Sequence, residues 1–172
     1  MAPAIRRATR DDLEPLRRLT IDAFHQAYDG KSPADEIEGH ITRHFGSDQL
    51  LAEIETADNR LLLVDSPEGF LGYALLKVGA TTPLVAEPAS VELARIYFDG
   101  RVTGRGHGSA LMTECLATAI AAGGRALWLS VWEENHGAIR FYEKWGFRRV
   151  GMQPFDFGGT LYQDPIMARE LP

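Results

Sequence analysis

Asp99-Gly100-Arg101-Val102-Thr103-Gly104-Arg105-Gly106-His107-Gly108-Ser109 stands between a β-rich run, Ser90 to Phe98, and an apolar stripe that starts at Leu111. Four glycines fall within the nine positions from Gly100 to Gly108. Strand, glycine turn and helix in that order make an anion-binding arrangement. Glycine lets the backbone approach a ligand, and the first N–H groups of the helix are unpaired and carry the positive end of its dipole. Arg101 and Arg105 add positive charge to the turn. It is not a Walker A loop, because no Gly-Lys-Ser/Thr follows. The dinucleotide fingerprint also fails, since counting from Gly104 puts Ser109 where the third glycine belongs. On this segment alone, a flexible strand-to-helix connection stays open beside the anion site.

Downstream of the turn, Leu111, Met112, Cys115, Leu116, Ala119 and Ile120 form one helical stripe that Gly123-Gly124 ends. A strand over Ala126 to Val131, a helix over Asn135 to Trp145, and strands near Phe147 to Phe155 and Tyr162 to Glu170 come next. Upstream, Gly79 to Ala89 carries two prolines and reads as a loop. Before it, Leu61 to Val64 and Phe70 to Val78 flank Ser66-Pro67-Glu68-Gly69 as a hairpin. Three helices precede the hairpin. The first runs from about Arg10 to Tyr28, with a capping box of Thr9 and Asp12; the second opens at Ser32-Pro33 with proline at its first position; the third opens at Ser47 and carries Leu50, Leu51 and Ile54. No repeat or linker interrupts this order, so one mixed α/β domain over 1–172 is expected.

The composition, 45% apolar and 24% charged, is that of an ordinary globular chain. A net charge of −6 speaks against a basic nucleic-acid face and favours cationic small molecules. No apolar run reaches the roughly 20 residues that span a bilayer, and the opening residues lack a secretory core, so no membrane is expected and a cytoplasmic location is. Cys115 is the only cysteine and reads as a buried structural thiol. His40 and His44 at i, i+4 lack a third ligand of recognisable spacing, so no metal is expected.

Asn135-His-Gly-Ala138-Ile-Arg-Phe141-Tyr142-Glu-Lys144-Trp-Gly146-Phe147 sets Asn135 and Tyr142 about two helical turns apart, on one face. A helix cap and a core aromatic would give the same pattern. With Gly106-His-Gly108-Ser-Ala-Leu111, this segment resembles the two signature segments of the GNAT acetyltransferases. Trp128-Leu-Ser-Val-Trp132-Glu-Glu-Asn135, Asp164-Pro-Ile-Met167, Ile21-Asp-Ala-Phe24 and Glu92-Leu-Ala-Arg95-Ile96-Tyr97 are similar to the PaiA-like polyamine acetyltransferases within that family. One departure is Thr103, where the family usually has Gln or Arg; Arg101 or Arg105 could supply the missing charge.

The resemblance implies a central, mostly antiparallel mixed sheet of six to seven strands, splayed where acetyl-CoA inserts and flanked by helices on both faces. It implies that acetyl-CoA lies along Ile96, Tyr97 and Phe98, with its pyrophosphate on Thr103, Gly104, Arg105, Gly106, His107, Gly108 and Ser109. Asn135 would contact the cofactor chain and Lys144 a ribose phosphate. Tyr142 would give a proton to the departing thiolate, and Glu92 would help to deprotonate the amine. A tyrosine with a pKa of about 10 suits a thiolate of about 8.5, while an alkylammonium near 10.4 needs a base to attack neutral. A solvated strand carboxylate is the plainer reading of Glu92. By alternation, Glu92 shares a face with Ala94, Ile96 and Phe98. Asp35, Glu36 and Glu38 could meet a cationic amine or be a solvated helix face.

The expected activity is direct transfer of acetyl to a primary amine, with a polyamine favoured. An antibiotic, an amino acid or a protein N-terminus are alternative acceptors. A non-catalytic acyl-CoA sensor and a simple nucleotide-binding domain are alternatives of another class. A homodimer, common among similar proteins, is a further expectation.

Overall fold

The computed structural model describes residues 3–102 and 104–172. β1 (Ala4–Arg7) leads through a 3-10 turn, Arg10–Asp12, into α1 (Leu13–Tyr28). The capping box forms: Asp12 Oδ2 accepts from Thr9 N–H at 2.7 Å and from the Thr9 hydroxyl at 3.1 Å. The Asp12 carboxylate also accepts from both terminal nitrogens of Arg6 at 2.9 Å, which ties the start of α1 to β1. α2 (Ala34–His44) and α3 (Ser47–Glu55) come next, with Pro33 capping α2 and not inside it as the sequence suggests. The hairpin strands are β2 (Asn59–Ser66) and β3 (Gly69–Val78), then come β4 (Ser90–Phe98), α4 (His107–Ala121), β5 (Ala126–Ser130), α5 (His136–Lys144), β6 (Arg148–Phe157) and β7 (Thr160–Glu170).

The strands form a seven-stranded sheet in the order β1-β2-β3-β4-β5-β7-β6. Every neighbouring pair is antiparallel except β4 and β5, which α4 joins as a parallel crossover. Helices cover both faces. Leu111, Met112, Cys115 and Ala119 of α4, with Tyr142 of α5, pack on Leu62, Val64, Ala74, Leu76, Val91 and Leu93. On the other face Leu16 and Leu19 of α1 pack on Leu61, Leu63, Tyr73 and Leu75. Phe24, Ile37, Ile41, Phe45 and Leu50 extend that layer to Phe157. Each fully buried leucine here contributes about 2 kcal/mol through burial.

Two irregularities in pairing shape the middle of the sheet. β4 and β5 pair only at Ser90↔Ala126, Val91↔Leu127 and Glu92↔Trp128, after which they part, β4 running on to Phe98. The sheet is therefore splayed in its middle, as expected. In addition, β3 meets β4 with a bulge: Leu75 pairs with Arg95 and Leu76 with Leu93, so Ala94 is the extra residue. The bulge reverses the alternation. Val91, Leu93, Ile96 and Phe98 face α4, whereas Ala94 and Tyr97 face α1. Glu92 thus shares its side with Arg95 and Tyr97, not with Ile96 and Phe98 as strict period-two counting gives.

The hairpin of β6 and β7 leans on α2. Glu36 accepts hydrogen bonds from Thr160 Oγ1 at 2.6 Å and from the Tyr162 hydroxyl at 2.8 Å. Gly158, at φ +60°, comes so close that a Cβ would stand 2.3 Å from the Cα of Glu36.

Candidate active site

The glycine turn delivers Gly106 at φ +83° as the N-cap of α4, a backbone conformation that a side chain strains. Beside it runs a groove of about 530 Å³ along Ile96, Phe98, Gly104, Gly106, His107, Gly108 and Ser109. Its other wall is Asn135, Ala138, Phe141 and Tyr142. Asn135 caps α5, its side-chain oxygen accepting from Ala138 N–H at 3.2 Å, and the same residue fronts the groove.

A second cavity of about 380 Å³ opens on the opposite side of the β4–β5 parting. Ile96, Phe98, Asn135, Ala138 and Tyr142 border both spaces, so the groove and the cavity meet at Tyr142. The Tyr142 ring sits edge-on to Phe141 and Phe147, at 5.6 and 5.8 Å between centroids, and its hydroxyl has no hydrogen-bond partner among the described residues. Burial, with Cys115 and Tyr28 nearby, raises its pKa well above the usual phenol value. Glu92, Arg95, Tyr28, Trp128, Trp132 and Asp164 also line the cavity. Burial raises the Glu92 carboxyl above its ordinary range against the opposing pull of Lys77 and Arg95. Burial pushes Asp164 up to about 6, with Glu133 adding to the effect.

The residues singled out in the sequence divide accordingly. Ile96, Phe98, Gly104, Gly106, His107, Gly108, Ser109, Asn135 and Tyr142 come together along the groove, and Glu92 comes to the cavity. Tyr97 does not border the groove. Its ring points to the α1 face, edge-on to Tyr73 at 5.7 Å, because it alternates with Ile96 and Phe98 along β4. Arg105 and Lys144 are exposed and stand outside the groove lining. Arg101 is tied to Asp99, whose carboxylate accepts from its Nε at 3.0 Å. Thr103 lies outside the described residues. Asp35, Glu36 and Glu38 do not reach the cavity: Glu36 is engaged by the β6–β7 hairpin, and Glu38 lies 3.5 Å from His25. Cys115 is fully buried. His40 is buried and stacks on Phe24 with centroids 4.8 Å apart. No group of three or more His, Cys, Asp or Glu among the described residues could hold a metal ion.

Sequence reasoning missed Tyr28 and Asp164 as cavity residues. Tyr28 reads as the last apolar position of α1, and only the fold turns it to the cavity. Asp164 did carry a signal: along β7 it occupies the same register as Tyr162 and Ile166, an inward position where a carboxylate needs a reason.

The sequence pattern of the Acetyltransferase (GNAT) family matches residues 16–147. An uncharacterized N-acetyltransferase of Mycobacterium bovis is 36% identical over 161 residues, covering 93% of this chain and 98% of the relative. Among solved structures, the PaiA N-acetyltransferase of Thermoplasma acidophilum, in complex with coenzyme A, superposes with a TM-score of 0.77 at 24% identity, over 99% of each chain. A Salmonella typhimurium structure with its cofactor acetyl-CoA gives a TM-score of 0.74 at 17% identity, over 100% of this chain and 95% of the other. At these identities the two structures speak to the fold.

Proposed function

The chain belongs to the acetyltransferase (GNAT) family, and from that premise we propose that it transfers acetyl from acetyl-CoA directly to a primary amine of a small cationic acceptor, preferably a polyamine, within one domain over 1–172. The observation that carries the reading is the meeting of two spaces at Tyr142, one walled by backbone and glycines, the other by carboxylates and aromatic rings. The groove suits a pantetheine arm. Beyond Glu92 the β5-facing backbone groups of β4 have no strand partner among the described residues, and an amide-bearing chain can take their hydrogen bonds. The pyrophosphate would rest on the N–H groups that open α4. The carboxylates of Glu92 and Asp164 in the cavity lining support a cationic acceptor.

On this reading the acceptor reaches the acetyl carbon from the cavity side. A neutral amine attacks, the C–N bond forms, and the C–S bond breaks as the thiolate leaves. Glu92, directly or through water, takes the amine proton, and Tyr142 gives its proton to sulfur. An alkylammonium is only about one part in a thousand neutral near pH 7.4, so supplying the free base without help costs about 4 kcal/mol. A carboxylate with a raised pKa is a better base for that task. A phenol with a raised pKa stays protonated until a thiolate forms beside it.

Release of free CoA thiol from acetyl-CoA, followed with spermidine, spermine, lysine and an aminoglycoside, tests the reading. Amine-dependent release led by spermidine supports it. Release led by another amine of the panel keeps the transferase and removes the polyamine. Binding of acetyl-CoA without turnover on any amine overturns the catalytic reading in favour of a sensor.

A further inference from the structure

Asp164 is unusual chemistry for its position. It sits on β7 just beyond the end of β5, is 6% exposed, and its carboxylate accepts no hydrogen bond among the described residues. Its oxygens open on cavity space instead, so what completes this half-withdrawn carboxylate must come from the cavity, as solvent or as a cationic or hydrogen-bonding ligand. The space in front of it is lined by aromatic rings. Asp164 borders the 380 Å³ cavity and also a smaller outer space of about 80 Å³, and Tyr28, Trp132 and Phe155 border both as well. Tyr28 and Trp132 lie 5.6 Å apart between ring centroids, and with Phe155 they stand in the lining that the two spaces share with Asp164, the neck between them. Glu133 adds negative charge nearby. Lys31, exposed at the rim of the outer space, makes no ion pair with Asp164 among the described residues.

Resting on the proposed amine acetylation, we propose that Asp164, with Tyr28, Trp132 and Phe155, holds a second ammonium group of the acceptor at this neck while the reacting amine sits at Tyr142 and Glu92. Asp164 is then the residue that selects α,ω-diamines and longer polyamines over monoamines. The burial that pushes its pKa to about 6 leaves it charged near neutral pH, and a cation at the neck would draw that pKa back down.

The test compares 1,4-diaminobutane with butylamine, which has the same alkyl length and one charge fewer, as acceptors for wild type and Asp164→Asn. A charge-assisted contact plus aromatic faces gives an expected wild-type preference for the diamine on the order of 30-fold in kcat/KM, expressed mainly in KM. Asp164→Asn should reduce that preference to about threefold or less, the loss in kcat/KM falling far more heavily on 1,4-diaminobutane than on butylamine. Asp164→Glu reads the geometry by another route: it moves the carboxylate one methylene toward the ligand and should shift the favoured diamine to a shorter chain. Equal losses on both amines in Asp164→Asn, a preserved preference, or no preference in wild type each overturn the subsite. Calorimetric titration of spermidine onto the CoA-loaded protein separates the two levels. Absence of turnover on every amine sinks the proposed function, whereas spermidine binding that Asp164→Asn leaves intact sinks the subsite alone.

Discussion

Tyr142→Phe removes one hydroxyl from the point where groove and cavity meet and leaves the ring in place. The ring keeps its contacts with Phe141 and Phe147, and the lost oxygen has no hydrogen-bond partner among the described residues. Removing a hydroxyl that has no protein partner and fronts two open spaces orphans no donor or acceptor, so the change should stay within about 0.5 kcal/mol and the melting temperature within roughly 2 °C of wild type. The rate responds differently. A positioned general acid contributes about 10²–10⁴-fold, and because a thiolate is a tolerable leaving group the low end applies: about a hundredfold fall in kcat, or roughly 2.7 kcal/mol. The KM for acetyl-CoA should change little, since a group that acts only as the C–S bond breaks adds nothing to ground-state binding. Thiol release under saturating amine, with melting curves on the same samples, measures both. An intact variant that keeps kcat within about threefold of wild type refutes Tyr142 as the proton donor. A variant that melts more than a few degrees lower shows that the hydroxyl is structural.

Glu92→Gln should lower kcat by tenfold or more. It should also flatten the acidic limb of the pH–rate profile, which in wild type lies above the ordinary carboxylate range because a base with a raised pKa loses activity earlier as pH falls; an unchanged limb assigns the base elsewhere. Gly106→Ala meets open space, with nothing within 4 Å, so its cost is backbone strain alone, about 1–2 kcal/mol and roughly 3–6 °C in melting. The same variant should show a smaller thermal shift on adding acetyl-CoA, and a wild-type melt with a full shift would remove the turn from the binding site. Asp12 is held at about 2, below its usual 3.8, first by its hydrogen bonds from Arg6. Its contribution is therefore present above about pH 4 and lost as pH falls toward 2. Asp12→Asn should melt about 6 °C lower near pH 7, from loss of about 2 kcal/mol, with the gap closing in acid; a gap constant with pH refutes the ion pair as its cause.

Much of the molecule was legible in one dimension. The order of elements, the crossover helix with its Leu111-to-Ile120 stripe, and the groove residues from Gly104 to Ser109 all derive from local periodicity and turn chemistry. What failed required knowledge of pairing. The bulge at Ala94 is set by how β3 and β4 register, and it puts Glu92 on the side of Tyr97 instead of that of Ile96 and Phe98. Glu36 looked available because the hydroxyls that bind it come from Thr160 and Tyr162, more than a hundred residues away. Asp164 became meaningful only once β7 was seen to end its pairing with β5 beside the cavity. Lys144 entered the candidate site by resemblance alone and Arg105 also by its charge in the glycine turn; both are exposed, and neither is among the residues that line the groove.

The parting of β4 from β5 has a consequence for the life of the protein in a cell. It leaves an open edge within the sheet, a place that folds normally cover. If the acetyl donor is what covers it, the donor acts as a removable strand and stabilises only the folded chain. At a donor concentration about a hundred times its Kd, that coupling is worth about 2.7 kcal/mol, and the unfolded fraction exposed to proteases falls by about the same hundredfold. Protein abundance would then track acetyl-CoA supply, so that starved cells degrade the enzyme faster than well-fed ones without any dedicated regulator.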